Sequence, residues 1–205
     1  MAINKEELIS ENTVLYVDQV RKSYGKKRVL KNMSFSIEKG KIVGFLGPNG
    51  CGKTTLVKLI NGLMPVTDGV ILVGGKKIGK ETKAVVSYLP ERTYLNNWMK
   101  VKDILDFFED LFEDFDRQRA EQMFSDMKIG LNEKLKNLSK GTKEKVQLVL
   151  VMSRQADLYI LDEPIAGVDP AARSYIMKTI LTNLPEESSL LIVTHLISDI
   201  ETICD

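Results

Sequence analysis

The glycine-rich segment at residues 47–55 constrains the fold of this 205-residue chain more than any other part of its sequence. Its glycines, followed by a lysine and a threonine, match the G-x-x-x-x-G-K-[ST] pattern of a phosphate-binding loop. A short apolar run precedes the segment and apolar residues at helical spacing follow it, which predicts the order strand, loop, helix. The residues that we expect to contact a nucleoside triphosphate are Gly47, Pro48, Asn49, Gly50, Cys51, Gly52, Lys53, Thr54 and Thr55.

Each residue type in this segment has a physical reason to be there. Glycines allow successive backbone N–H groups to turn towards phosphate oxygens, and the start of a helix adds partial positive charge. Lys53 is expected to reach the β- and γ-phosphates, and the Thr54 hydroxyl to bind Mg²⁺. The sequence therefore predicts a triphosphate site that includes a magnesium ion.

Two adjacent acids, Asp162 and Glu163, follow the apolar run at residues 158–161. If that run is a buried strand, the acids lie at the carboxyl edge of the sheet, where ligands bind in open α/β folds. Asp162 is then expected to hold Mg²⁺, and Glu163 to orient or deprotonate an attacking water. Taken without the phosphate loop, the same pair also fits a helix cap.

Short apolar runs alternate with helical patterns along most of the chain. The runs that predict strands are residues 14–17, 33–37, 42–46, 70–73, 85–89, 158–161 and 190–193. This alternation predicts an α/β fold with a mostly parallel sheet flanked by helices, as in the P-loop NTPase core, plus an N-terminal antiparallel β part. We expect residues 42–46 to be buried on both faces of the sheet.

Residues 91–155 are predicted to form a helical subdomain inserted into a single domain that spans residues 1–205. The nucleotide-binding core is then residues 1–90 together with residues 156–205. A helical pattern runs from residue 101 to residue 127, and further helices are expected after Ser139 and over residues 170–184. The apolar stripe of the first pattern is Ile104, Phe108, Leu111 and Phe115, and its expected solvated side is Glu109, Asp110, Glu113, Asp114 and Asp116. The helix after the loop is expected to include Leu56, Leu59, Ile60 and Leu63.

The composition argues against several classes of protein. The formal net charge of +1 gives no reason to expect nucleic-acid binding. Two cysteines and a single histidine favour neither a disulfide framework nor a His-rich metal site. The first residues are polar, and no stretch approaches the roughly 18–20 apolar residues of a membrane span. We therefore expect a cytoplasmic protein that does not bind nucleic acid.

The chain resembles the ATPase subunits of ABC (ATP-binding cassette) transporters. The most specific mark is the LSKGT segment at residues 138–142, which is similar to the LSGGQ signature of that family. The resemblance implies ATP as the nucleotide and a dimer of ATPase domains, identical or different, in which each signature closes over ATP bound to the other subunit. Ser139 and Gly141 retain the hydroxyl and the backbone N–H of the signature, whereas Lys140 and Thr142 depart from it. Taken alone, Ser139 also fits a helix cap.

Other positions match the family in order. Tyr24 resembles the aromatic residue that stacks on adenine, Asp169 belongs to a segment similar to the D-loop, and His195 resembles the histidine that contacts the γ-phosphate. Glu91 stands where the family usually has glutamine. It keeps an oxygen able to approach Mg²⁺ or the attacking water but adds a negative charge, so we expect a catalytic and metal-binding role with altered electrostatics.

The resemblance implies an ATPase that powers transport through a separate transmembrane permease subunit, at the cytoplasmic face of the membrane. Some bacterial exporter-type subunits are similar at Glu91, which favours export, and the cargo is open. The alternative is an ABC ATPase that acts as a switch on soluble partners. Residues 92–100, with Tyr94, Trp98 and Met99, are either a docking surface or buried packing. Members of the family usually continue for a few strands beyond the position of Asp205.

Overall fold

The computed structural model describes residues 11–166 and 170–196. Its first sheet is antiparallel and is built around a long hairpin. The strands are β1 (Thr13–Tyr24), β2 (Lys27–Glu38), β4 (Val70–Val73) and β5 (Lys76–Lys77), in the order β2-β1-β4-β5. Gly25 forms the hairpin turn with a φ of 57°, a conformation that glycine adopts at little cost. The predicted N-terminal antiparallel part is confirmed.

The second sheet is parallel and carries the phosphate loop. Its strands are β3 (Ile42–Leu46), β6 (Val86–Leu89), β7 (Leu158–Asp162) and β8 (Ser189–Thr194), in the order β3-β8-β7-β6. Strands β7 and β8 are buried throughout. The expectation that residues 42–46 are buried on both faces was wrong, because β3 pairs only with β8 within the described chain and its side chains are half-buried or exposed.

Helix α1 (Lys53–Ile60) follows the loop and packs between the two sheets. Its buried side chains Leu56, Leu59 and Ile60 join a hydrophobic cluster that includes Val17 of β1 and Ile160 of β7. Leu63 was wrongly expected on this helix: the helix ends before it, and the side chain is 58% exposed. The remaining helices of the core are α2 (Lys80–Val85) and α6 (Pro170–Thr182).

Three helices form the part of the chain between β6 and β7. They are α3 (Val101–Leu111), α4 (Arg117–Asp126) and α5 (Lys140–Met152). One continuous helical stripe over residues 101–127 was therefore the wrong expectation. The chain breaks between α3 and α4 because the Asp116 carboxylate accepts a hydrogen bond from the Arg119 N–H at 2.9 Å and starts a new helix. Leu111 is 56% exposed rather than part of the core.

Not all of the acidic residues in this break form a solvated side. The Asp114 carboxylate accepts hydrogen bonds from the buried Arg154 guanidinium at 3.0–3.2 Å. Arg154 also donates to the carbonyls of Val86 at 2.7 Å and Ala84 at 2.6 Å, and it stacks on the Phe112 ring. This one side chain therefore links the helical part of the chain to the start of β6. None of the helices within the described ranges is long and apolar enough to cross a membrane.

Candidate functional site

The loop at residues 47–52 lies between the carboxyl end of β3 and the first turn of α1. It borders a cavity of about 500 Å³. Since the strands of the parallel sheet all end at this edge, the cavity also receives side chains that follow β6, β7 and β8. The lining residues are Val29, Asn49, Gly50, Gly52, Lys53, Thr54, Thr55, Glu91, Glu163, Ala166 and His195.

Gly52 is the glycine of this loop that the local structure most clearly requires. Its φ is 107°, and a Cβ at this position would lie 2.9 Å from Leu30 Cδ2 and 3.3 Å from the carbonyl oxygen of Val29. Any side chain would therefore push the loop away from the β1–β2 hairpin. The tight packing explains why Val29, which the sequence gave no reason to select, lines the cavity.

Lys53 points back into the loop. Its ammonium donates to the carbonyl of Gly47 at 2.7 Å and to that of Pro48 at 3.3 Å, and it lies 3.5 Å from Glu163 Oε1. The side chain is 6% exposed. A buried cation surrounded only by protein oxygens is placed to bind a phosphate group that enters the same space.

Glu163 is held in an unusual backbone conformation with a φ of 54°. Its N–H donates to the Val193 carbonyl at 2.7 Å, and its carboxylate accepts a hydrogen bond from the Thr194 hydroxyl at 3.0 Å. His195 Nδ1 lies 2.9 Å from Oε1. Burial raises the pKa of Glu163, but the hydrogen bonds from His195 and Thr194 and the nearby charges of His195 and Lys53 outweigh it and lower the pKa below its ordinary value. The carboxylate is therefore ionised at neutral pH and can accept hydrogen bonds.

Asp162 ends β7 and is 1% exposed. Within the described part of the chain, no donor completes a hydrogen bond to either carboxylate oxygen. Burial raises the pKa of Asp162 to about 6, an effect that the nearby Thr54 hydroxyl reduces and the charge of Glu91 increases. A buried carboxylate without a partner, next to a threonine hydroxyl, fits the oxygen-ligand chemistry of Mg²⁺. The alternative of a helix cap does not hold, because α6 begins only at Pro170.

Glu91 is exposed and lies in the wall of the same cavity as Lys53, Glu163 and His195. The fold thus brings together four side chains that the sequence predicted for the site and that come from separate parts of the chain. Of the loop residues, Gly47, Pro48 and Cys51 shape the backbone without being among the described residues that line the cavity. Cys51 is an exposed free thiol.

Ser139 and Gly141 lie at the start of α5 and are not among the described residues that line the cavity. The Ser139 hydroxyl accepts a hydrogen bond from the Thr142 N–H at 3.1 Å, as a helix cap does. A Cβ at Gly141 would meet nothing within 4 Å, so the backbone there faces open space. Both residues are therefore available to a second molecule.

Tyr24 lies at the end of β1 and is 49% exposed. Its hydroxyl is 3.2 Å from Met64 Sδ, and it too is absent from the described lining of the cavity. Asp169, which was expected to belong to the site, lies outside the described residues. The roles of Tyr24, Ser139, Gly141 and Asp169 stay predictions.

Comparison with known proteins places these features in a family. A family model described as ABC transporter matches residues 30–166. The linearmycin resistance ATP-binding protein LnrL of Bacillus subtilis is 32% identical over 94% of this chain and 64% of its own length. The manganese transport system ATP-binding protein MntB of the same organism is 34% identical over 87% of this chain and 75% of its own length.

A solved structure titled as the ATP binding subunit of an ABC transporter superposes with a TM-score of 0.85. It is 28% identical and covers 94% of this chain and 84% of its own. The chain spans about half to two thirds of the length of several curated relatives that it matches, LnrL among them.

Proposed function

This chain belongs to the ABC transporter family of ATP-binding proteins, and from that premise we propose that it binds and hydrolyses ATP to power transport through a separate transmembrane subunit. The observation that carries the proposal is the meeting of Lys53, Glu163, His195 and Glu91 around one cavity beside the phosphate loop. Phosphoryl transfer to water needs cationic groups that neutralise charge on the phosphate oxygens and a residue that orients the attacking water.

When ATP binds, Lys53 gives up its contacts within the protein for contacts with the phosphates. In this structure its ammonium is shared between loop carbonyls and Glu163. A triphosphate in the cavity offers oxygens of higher charge, so Lys53 turns to the phosphates and the backbone N–H groups of residues 50–54 surround them. Thr54 and Asp162 would hold Mg²⁺, which when bound neutralises charge on the phosphate oxygens.

Glu163 is the proposed base. Once Lys53 has turned to the phosphates, the Glu163 carboxylate is free to orient a water molecule and to accept its proton. His195 and Thr194 hold the carboxylate in place, and His195 is exposed enough, at 37%, to reach a phosphate as well. Glu91, which borders the same small cavity as Asp162 and Glu163, is proposed to approach the metal or the water.

The proposed working state is a dimer, with an identical or a related second copy. Ser139 and Gly141 lie apart from the cavity of their own chain and face open space, which supports their use on ATP bound to a partner. Asp169 and Tyr24 are proposed to act at the dimer contact and at the adenine ring. We divide the chain functionally into a core of residues 1–90 and 156–205 and a helical subdomain of residues 91–155.

The proposed partner is a transmembrane permease, bound at the cytoplasmic face by the segment at residues 92–100. In that segment Tyr94 is 50% exposed and Trp98 69% exposed, whereas Met99 packs against the core. Exposed aromatic residues are enriched at protein interfaces. A relative named for resistance and one named for manganese transport support transport in general, and we extend the proposal to an exporter-type system on the basis of Glu91.

The test of hydrolysis is phosphate release by the purified chain with ATP and Mg²⁺. Glu163→Gln should lower kcat by at least about 100-fold, because a positioned base contributes on the order of 10²–10⁴-fold. Glu186→Gln makes the same change at an exposed position and should leave the rate unaltered. Equal rates for the wild type and Glu163→Gln would exclude Glu163 as the base.

Capture of an integral membrane protein by the tagged chain supports transport, whereas a complex of soluble proteins alone supports the switch.

A further inference from the structure

Three buried side-chain atoms lack a hydrogen-bond partner within the part of the chain that the structure describes. They are the Nε2 atom of Gln147 and both carboxylate oxygens of Asp162. Gln147 is 3% exposed and Asp162 is 1% exposed, so bulk water does not satisfy them. Such atoms are rare in folded proteins because leaving them unpaired costs free energy. Their occurrence in two neighbouring residues suggests one common cause.

Both residues line the same small cavity, next to the nucleotide site. It measures about 30 Å³, and Glu91 and Glu163 also border it. Because a water molecule needs roughly 10–15 Å³ of such space, the cavity has room for one or two. The amide nitrogen is only a donor and the carboxylate is only an acceptor, so a water between them accepts from the first and donates to the second.

The other charged side chains around this cavity have different partners. Glu163 is bound by His195 and Thr194. Lys145 lies over the Tyr175 ring at 5.2 Å, and Glu144 lies 3.8 Å from Lys140. Glu91 is exposed to solvent. Gln147 and Asp162 are thus the two residues of complementary chemistry that the cavity leaves to each other.

We propose that Gln147 is a positioning residue for Asp162, to which it is linked through a water molecule in this cavity. This proposal rests on the proposed function because the water link would orient the carboxylate that binds Mg²⁺ there. Gln147 lies on α5, the helix that Ser139 caps.

The first test measures magnesium binding separately from nucleotide binding. Gln147→Met keeps the size of the side chain and removes the donor. In EDTA, its affinity for ATP should stay within about twofold of wild type. The Mg²⁺ concentration that gives half of the magnesium-dependent increase in ATP affinity should rise about tenfold, as for other residues that orient a metal ligand. Gln155→Met, the same change at an exposed position, should alter neither quantity. An unchanged Mg²⁺ requirement for Gln147→Met would overturn the proposal.

The second test uses the metal-free protein and needs no activity. Gln147→Met should lower Tm by about 2–4 °C, the shift expected for one lost hydrogen bond in a domain of this size. In an Asp162→Ala background the same change should shift Tm by less than about 1 °C, because the acceptor is already gone. Equal shifts in both backgrounds, or a higher Tm for Gln147→Met, would contradict the link. If the chain binds no ATP, the proposed function fails while this comparison still tests Gln147 and Asp162.

Discussion

At the residue scale, Glu163 shows how the fold holds the carboxylate that we propose as the base in one position. A φ of 54° is unfavourable for a residue with a side chain. Such a conformation persists only where several contacts hold it. Here the contacts are the N–H bond to Val193 and the side-chain bonds to Thr194 and His195. The strained turn places the carboxylate 3.5 Å from the Lys53 ammonium, and in the proposed function an arriving phosphate takes over this contact with Lys53.

Lys53→Ala tests the phosphate-binding role of this lysine. The ammonium is nearly buried, so its contact with phosphate is strong, and no other lysine or arginine is among the described residues that line the cavity. Loss of a buried charge contact costs about 2–5 kcal/mol, so ATP should bind at least about 30-fold more weakly. Calorimetry with ATP measures this directly. An affinity equal to that of the wild type would mean that the nucleotide binds elsewhere.

Asp162→Asn tests the electrostatics of the carboxylate that we propose as a metal ligand. Because burial raises its pKa from 3.8 to about 6, the folded state binds this proton more tightly than the unfolded chain does. Ionisation therefore destabilises the metal-free fold as pH rises through about 4, and the full cost is present above about 6. After allowance for screening, Asp162→Asn should raise the free energy of unfolding by about 1–2 kcal/mol at pH 7.5. The gain should vanish near pH 4, as measured by urea unfolding in EDTA. A gain that is the same at both pH values would contradict this account.

At the scale of elements, Arg154 joins three parts of the molecule. It follows α5, pairs with Asp114 in the break between α3 and α4, and donates to the carbonyls of Ala84 in α2 and Val86 at the start of β6. Strand β6 leads to Glu91, and α5 begins at Ser139. The guanidinium therefore fixes the orientation of the helical part relative to the strand that carries a site residue.

Arg154→Ala should lower the free energy of unfolding by about 3–5 kcal/mol, because it leaves a partly buried carboxylate and two carbonyls without their donor. Arg154→Lys should recover only part of the loss, since an ammonium cannot reproduce the planar fork of donors. Arg117 is the matched control: it pairs with three acids at the surface, and Arg117→Ala should cost no more than about 1 kcal/mol. Urea unfolding compares the three variants. Equal losses for Arg154→Ala and Arg117→Ala would show that Arg154 does not act as a link.

The strands of the core could be predicted because each one is a short apolar run with a turn signal beside it. The break after α3 could not, because the apolar spacing continues through Phe115 while the deciding contact is the local cap by Asp116. The role of Asp114 depends on Arg154, which is far away in sequence and adjacent only in the folded chain. Periodicity reports which face of a helix is apolar and contains no information on such distant pairs.

At the scale of the whole molecule, the parallel sheet brings the site residues together at one edge. The phosphate loop, Asp162, Glu163 and His195 were predictable because each follows a recognisable strand, and parallel strands end at one edge. Val29 and Gln147 were not, since neither belongs to a motif and both reach their positions through packing between distant elements. Ser139 is not among the described residues that line the cavity, which supports its proposed use on ATP bound to a second copy.

We propose that this chain hydrolyses ATP at a site that a second copy completes. Light scattering of Glu163→Gln with ATP tests it most directly, because the variant keeps the phosphate loop and lacks the base. The account predicts a monomer without nucleotide, a dimer with ATP, and no dimer when Lys53→Ala is added. A chain that stays monomeric with saturating ATP would contradict the claim that two copies of this chain form the site.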